Sequence, residues 1–162
     1  MSIPLAVLDP GSYVFWLHAG TAVLCGTTIG LERQLRGKAA GVRTSILICL
    51  GTQLFVAIGA SFDPAHTDPT RVLGQVITGI GFIGGGVILA RESLVFGVTS
   101  AAVIWMLAAL GSLIGLGYLY AAIILTLITL AVLLGVEGVE SAIARLRRGA
   151  VTRGLDELDV EQ

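Results

Sequence analysis

The residues best suited to chemistry stand where an otherwise apolar chain breaks. Glu32, Arg33 and Gln34 close the first apolar run, Arg43 and Thr44 open the second, and Glu92 lies between the third and the fourth. Carboxylates and guanidiniums pair through short, charge-assisted hydrogen bonds. Charges from three helix ends could therefore gather into one buried network at a single membrane boundary. The same residues also suit simple topological anchoring with charge neutralisation, and both interpretations stand at this stage. Two arginines at such a boundary would also suit an anionic ligand.

Away from the boundaries the chain offers little chemistry. A charge at mid-bilayer costs at least about 2.5–3.5 kcal/mol, so an ionisable group there would mark a functional site. None falls near a midplane: Asp63 sits at the opposite boundary, and Glu137 and Glu140 follow the fifth apolar run. Gln53 and Gln75 are uncharged and suit interhelical hydrogen bonding. His18 and His66 have no second histidine or cysteine at ligand spacing, and Cys25 and Cys49 lie in apolar runs as small hydrophobes. No HExxH or GxSxG pattern occurs, so an enzyme is not expected. No cofactor is expected either; Mg2+ would want carboxylate ligands, which a single copy does not offer at mid-membrane, although a homo-oligomer could line a pore with carbonyls.

Residues 79 to 84 read Gly-Ile-Gly-Phe-Ile-Gly and match a dinucleotide-binding fingerprint in form only. That fingerprint needs a preceding strand and a soluble helix, whereas this one is embedded in an apolar run. Small residues four apart instead let membrane helices approach closely. Gly26 and Gly30, Gly81 and Gly85, and Gly111 and Gly115 have that spacing, and with Gly79 they place the third helix at the centre of the bundle. Three successive glycines, Gly84, Gly85 and Gly86, exceed what packing needs, since each weakens a helix by about 1 kcal/mol; a hinge or break is expected there.

The elements that must position these residues follow from hydropathy. The chain has 162 residues, of which 55% are hydrophobic and 13% charged, with a mean hydropathy of +0.91. A soluble domain carries roughly 25% charged residues. A net charge of -1 points to no nucleic-acid partner. About 20 apolar residues cross a bilayer, and the sequence predicts five such helices, near residues 12–31, 44–62, 72–90, 99–115 and 118–136. The fold class is thus an all-α integral membrane bundle, with a transmembrane domain over 1–140 and a short charged tail over 141–162. The N-terminus lacks the marks of a signal peptide, so the first helix is expected to be retained. Basic residues cluster on one side: Arg33, Arg36, Lys38 and Arg43 in one loop, Arg91 in another, and Arg145, Arg147, Arg148 and Arg153 in the tail, against Arg71 alone. The positive-inside rule then puts the N-terminus outside and the C-terminus in the cytoplasm.

Taken in order, Ile-Gly-Leu-Glu-Arg-Gln at 29–34, Ala-Gly-Val-Arg-Thr at 40–44, the glycine-rich run from Gln75 to Ile88, and Thr99-Ser100-Ala-Ala-Val-Ile-Trp105 closely resemble the MgtC/SapB family of bacterial membrane proteins. The resemblance covers about residues 12–136. It implies a multi-pass protein of the bacterial inner membrane, linked to adaptation to low magnesium and, in pathogens, to survival inside host cells. It also implies action through other membrane proteins, the proton-driven ATP synthase among them, with magnesium or other ion transport as the alternative. A third alternative is a small anionic ligand or lipid held at the cytoplasmic side. Phe96 stands where the family usually has an arginine before Gly97, which alters any charge network that uses it. Longer members add a soluble domain after the last helix.

Overall fold

The computed structural model describes residues 6–62, 68–91 and 94–135. The chain divides into two compact units, residues 1–127 and 128–162. The first unit begins with α1, Tyr13–Leu35, whose N-terminus is capped by Ser12: its hydroxyl oxygen accepts the Val14 N–H at 3.2 Å. A basic loop containing Gly37 and Ala40, both at positive φ, turns the chain into α2, Val42–Ser61. Gly41 precedes α2 and has no side chain to cap with. Gln34 supplies that function across the loop, its Oε1 accepting the Val42 N–H at 3.3 Å.

Helix α3 runs over Pro69–Gly85. Asp68 caps it, accepting from the Thr70 N–H at 2.9 Å and the Thr70 hydroxyl at 2.7 Å, and Pro69 fits the first turn, where no N–H is needed. The sequence predicted this helix over 72–90. The glycine run ends it five residues sooner: Gly86 is the cap, and the apolar residues beyond form an antiparallel hairpin of β1, Leu89–Arg91, and β2, Leu94–Phe96, with Ala90 opposite Val95. The hairpin feeds α4, Val98–Gly115, through Gly97 at φ 88°. A Cβ at Gly97 would collide with the Val87 carbonyl, so only glycine fits the junction. After a tight turn at Gly117, φ 89°, α5 covers Leu119–Gly135; its residues up to Leu127 belong to the first unit and the rest to the second.

Helices α1, α2 and α4 are each long and apolar enough to cross a membrane, and α5 is a shorter apolar helix. The core of the first unit lies on α4, where Leu107, Leu110 and Ile114 are fully buried and which packs on α1, α2 and α3. Helix α2 is wedged between α1 and α4 by glycine. A Cβ on Gly26 would lie 2.7 Å from the Ile46 Cα, and one on Gly30 2.6 Å from the Val42 Cα. On the other side, a Cβ on Gly111 or Gly115 would lie 2.6 Å from the carbonyl oxygen of Cys49 or Gln53 respectively. Such backbone-to-backbone seams are how helices associate in lipid, where hydrophobic attraction between them is lost.

The expectation that α3 is the centre of the bundle is therefore corrected. Among the residues of α3 whose burial is described, Ile80 and Gly84 are the buried ones, and Gly74, Gly79, Gly81 and Gly85 have nothing within 4 Å of a would-be Cβ. The glycine spacing is present, but among the described residues no helix occupies it.

Polar groups inside the helices are mostly satisfied locally. The hydroxyls of Thr21, Thr28, Thr78, Ser112 and Thr126 each donate to the carbonyl four residues back, at 2.8–2.9 Å. Across helices, the Cys49 thiol donates to the Leu107 carbonyl at 3.4 Å.

Candidate functional site

The last turn of α1 carries the charged cluster. At 23 residues, α1 is about 34 Å long, a little more than the hydrocarbon thickness, so its two ends reach opposite headgroup layers. Tyr13 and Trp16, exposed near the first end, have the amphipathic rings that favour that layer. Glu32 and Arg33 lie at the other end, both buried, with Arg33 only 1% exposed. Arg33 Nε is 3.5 Å from Glu32 Oε2, and Arg36 Nε, one turn on, is 2.7 Å from Glu32 Oε1. The Arg36 contact is short in distance, yet no N–H is aligned on either carboxylate oxygen, so it is an ion pair rather than a well-formed hydrogen bond. Arg33 Nε and Nη1 are buried without a hydrogen-bond acceptor.

One carboxylate thus faces two guanidiniums. Burying such a group is costly, and removing its counter-ion costs more than the pair contributes, because the charge left behind is desolvated and unpaired. The cluster is a functional candidate on that ground.

The other predicted residues divide. Gln34 is exposed and serves α2 as its cap. Arg43 and Thr44 are exposed, so the structure does not bring them to Glu32; the neighbouring Ser45 is the fully buried one, under Gly30. Glu92, Asp63 and His66 lie outside the described residues. Arg36 was missed as a member of the cluster, although its i,i+4 spacing from Glu32 was a readable signal. Gly26 and Gly30 form the α1–α2 seam; Gly84 makes ordinary contact with Ala101, and Gly86 caps α3. Ser100 is buried at the start of α4, whereas Thr99 and Trp105 are exposed. Gln53 is 6% exposed. His18, 3% exposed, donates from Nδ1 to the Val14 carbonyl at 2.8 Å, since a carbonyl can only accept; its Nε2 is left as a buried acceptor without a partner. Among the described residues no group of three or more histidine, cysteine or acidic side chains is placed to hold a metal.

The outward side of α3 is the second notable surface. Gln75, Thr78 and Phe82 are exposed along it, with Gly74 and Gly79 alongside. Two apolar clefts flank the helix, one of about 330 Å³ against α4, lined by Leu73, Ile77 and Trp105 among others, and one of about 430 Å³ against α2, lined by Phe55, Gln75 and Ile83 among others.

Apolar spans, glycine seams and charges placed at helix ends define a multi-pass helical membrane protein. Comparison with known proteins then places it: the model of the MgtC family matches residues 20–142, and the chain belongs to that family. It is 45% identical over 119 residues to the putative magnesium transporter YhiD of Escherichia coli (strain K12), covering 69% of this chain and 55% of that protein. It is 40% identical over 111 residues to protein MgtC of Brucella abortus (strain 2308), covering 68% of this chain and 46% of that one. An uncharacterized protein of Synechocystis, slr0014, is 42% identical over 101 residues, 62% of this chain and 43% of that protein. The chain spans about half the length of these relatives. No solved structure matches.

Proposed function

We propose that the protein is a regulatory factor of the bacterial inner membrane that acts by docking against other membrane proteins during adaptation to low magnesium or to stress. The basic loop after α1 faces the cytoplasm in this scheme, and the ATP synthase is one partner that the family resemblance suggests. The observation that carries the proposal is the outward face of α3: a glycine-lined helix that meets its own bundle along one edge, through Val72 against Gly59 and through Ile80 and Gly84. Elsewhere in the chain, glycines at Gly26, Gly30, Gly59, Gly111 and Gly115 have another helix directly against them. Those on α3 provide the same close approach to a helix from outside.

The test uses bulk. A Gly79→Leu side chain starts in open space, so the protein should fold and insert as the wild type does. In a strain lacking the protein, this variant should fail to restore growth at low magnesium while keeping wild-type abundance and melting temperature. Full restoration would count against docking through α3.

Magnesium transport is the second reading, favoured by the name of the Escherichia coli relative. Magnesium entry into sealed proteoliposomes, present in wild type and lost in Glu32→Ala, would replace the regulatory account.

A further inference from the structure

The open side of α3 carries a polar group that lipid cannot satisfy. We propose that α3 pairs with the α3 of a second copy of this chain, parallel to it, along Gln75, Gly79, Phe82 and Gly86. The pairing rests on α3 being a docking face and names a partner for it.

Depth comes first. Val72 on α3 abuts Gly59 on α2, and Gln75, about 4.5 Å further along the axis, shares a cleft of about 430 Å³ with Thr52 and Phe55. Those two residues stand in the middle turns of α2, which is long and apolar enough to cross a membrane. Gln75 is exposed at that depth, and among the described residues its carboxamide makes no hydrogen bond. Hydrocarbon offers it none, and an unsatisfied polar group there is costly. An acyl chain filling the cleft would leave the amide bare.

Chemistry comes second. A carboxamide both donates and accepts, so two of them brought face to face exchange a reciprocal pair of hydrogen bonds. Copies of one membrane protein share orientation and depth. A two-fold axis along the bilayer normal therefore sets Gln75 against Gln75 with no further requirement on the partner.

Shape comes third. Gln75, Gly79, Phe82 and Gly86, all exposed, recur at intervals of four, three and four, which keeps them within about 60° of one another round the helix. That is the repeat of a parallel two-helix seam, in which a side chain of one helix enters a hole between residues of the other. Phe82, 86% exposed, is the knob, and Gly79 and Gly86 leave the hole open. Gly81 lies about 130° from the seam and stays outside it. At the start of α3, Asp68 and Arg71 are exposed with opposite charges, so two copies meet there without net charge.

Sedimentation equilibrium of the full chain in density-matched detergent tests this, read as a monomer–dimer dissociation constant over a dilution series. Wild type should dimerise and go no further. Gln75→Leu keeps the bulk and removes both hydrogen bonds, and should weaken the dimer by about tenfold or more. Gly79→Leu fills the hole and should abolish it, while Gly81→Ala should stay within about twofold of wild type. Both seam positions are exposed, and unchanged circular dichroism checks that the variants fold. A monomeric wild type, or equal constants for wild type and Gln75→Leu, would overturn the pairing. Growth at low magnesium separates it from the docking account. A monomeric wild type whose Gly79→Leu variant still fails to restore growth sinks the pairing and leaves α3 to a different protein. A dimer that Gly79→Leu parts without loss of growth supports the pairing and sinks the docking account.

Discussion

Two glycines of similar sequence context should respond oppositely to the same added methyl group. At Gly81 on α3, an alanine Cβ meets nothing within 4 Å. The substitution then acts only through helix propensity and should stabilise by about 0.5–1 kcal/mol. At Gly30 on α1, the same Cβ would lie 2.6 Å from the Val42 Cα and 2.9 Å from the Ser45 Cβ. Carbon atoms prefer about 3.5–4.0 Å, so α1 and α2 must separate by roughly an ångström. Backbone cannot swing aside as a long side chain does. Overpacking of this kind costs about 1–3 kcal/mol, and the gap between Gly81→Ala and Gly30→Ala should be about 1.5–4 kcal/mol. For a chain of this size that corresponds to roughly 3–16 °C in melting temperature, readable by thermal unfolding of the purified protein in detergent followed by circular dichroism. If Gly81→Ala loses as much stability as Gly30→Ala, then α3 is packed against something in the purified protein and the open face described above is wrong. A neutral Gly30→Ala would refute the backbone seam.

Two further outcomes follow from the charged residues. Glu32→Ala leaves the Arg33 guanidinium buried beside no carboxylate and should destabilise by about 3–5 kcal/mol, whereas adding Arg33→Met to it should recover part of the loss; a strictly additive double variant in chemical denaturation would show that the two residues are uncoupled. At the start of α3, the Thr70 hydroxyl and backbone N–H hold the Asp68 carboxyl below the usual carboxylate range. A carboxyl lowered by folding contributes stability above its ordinary, unfolded value, and that contribution is lost as the pH falls through the lower folded value. Hydrogen exchange at the first turn of α3 should therefore accelerate on acidification below about pH 4 in wild type and be insensitive to pH in Asp68→Ala, after correction for intrinsic exchange; identical profiles would remove the cap from the account.

Four of the five helices were legible because their apolar runs end at strong punctuation, such as the basic loop after Leu35 or Gly117. The third was legible at its start and not at its end. Val87-Ile-Leu-Ala continues the hydropathy of α3, and a short apolar run reads equally as helix or strand; the structure resolves it into a hairpin because the glycine run lets the helix stop. Glycine spacing showed which surfaces permit close approach but not which are occupied, since occupancy depends on how the helices are arranged around α4. The charged cluster was legible in part. Glu32 and Arg33 were placed at the right boundary, but Arg43 was grouped with them by depth alone, and depth says nothing about which side of a helix a residue faces. Two residues further along α2, Ser45 faces α1 and Arg43 does not.

The hydroxyls that bond back onto their own helices bear on how this protein is made. A threonine or serine that satisfies itself within its span needs no neighbour, so α1, α4 and α5 can each enter lipid carrying Thr21, Thr28, Ser112 and Thr126 without an open hydrogen bond. Insertion can then precede association. On α1 the bare Nε2 of His18 falls outside that provision, as do Glu32 and Arg33 at the far end, whose buried polar atoms lack hydrogen-bond partners. A newly inserted first helix is therefore self-sufficient along its middle and in need of company at its two ends, where its assembly with the later helices is most open to intervention by another molecule.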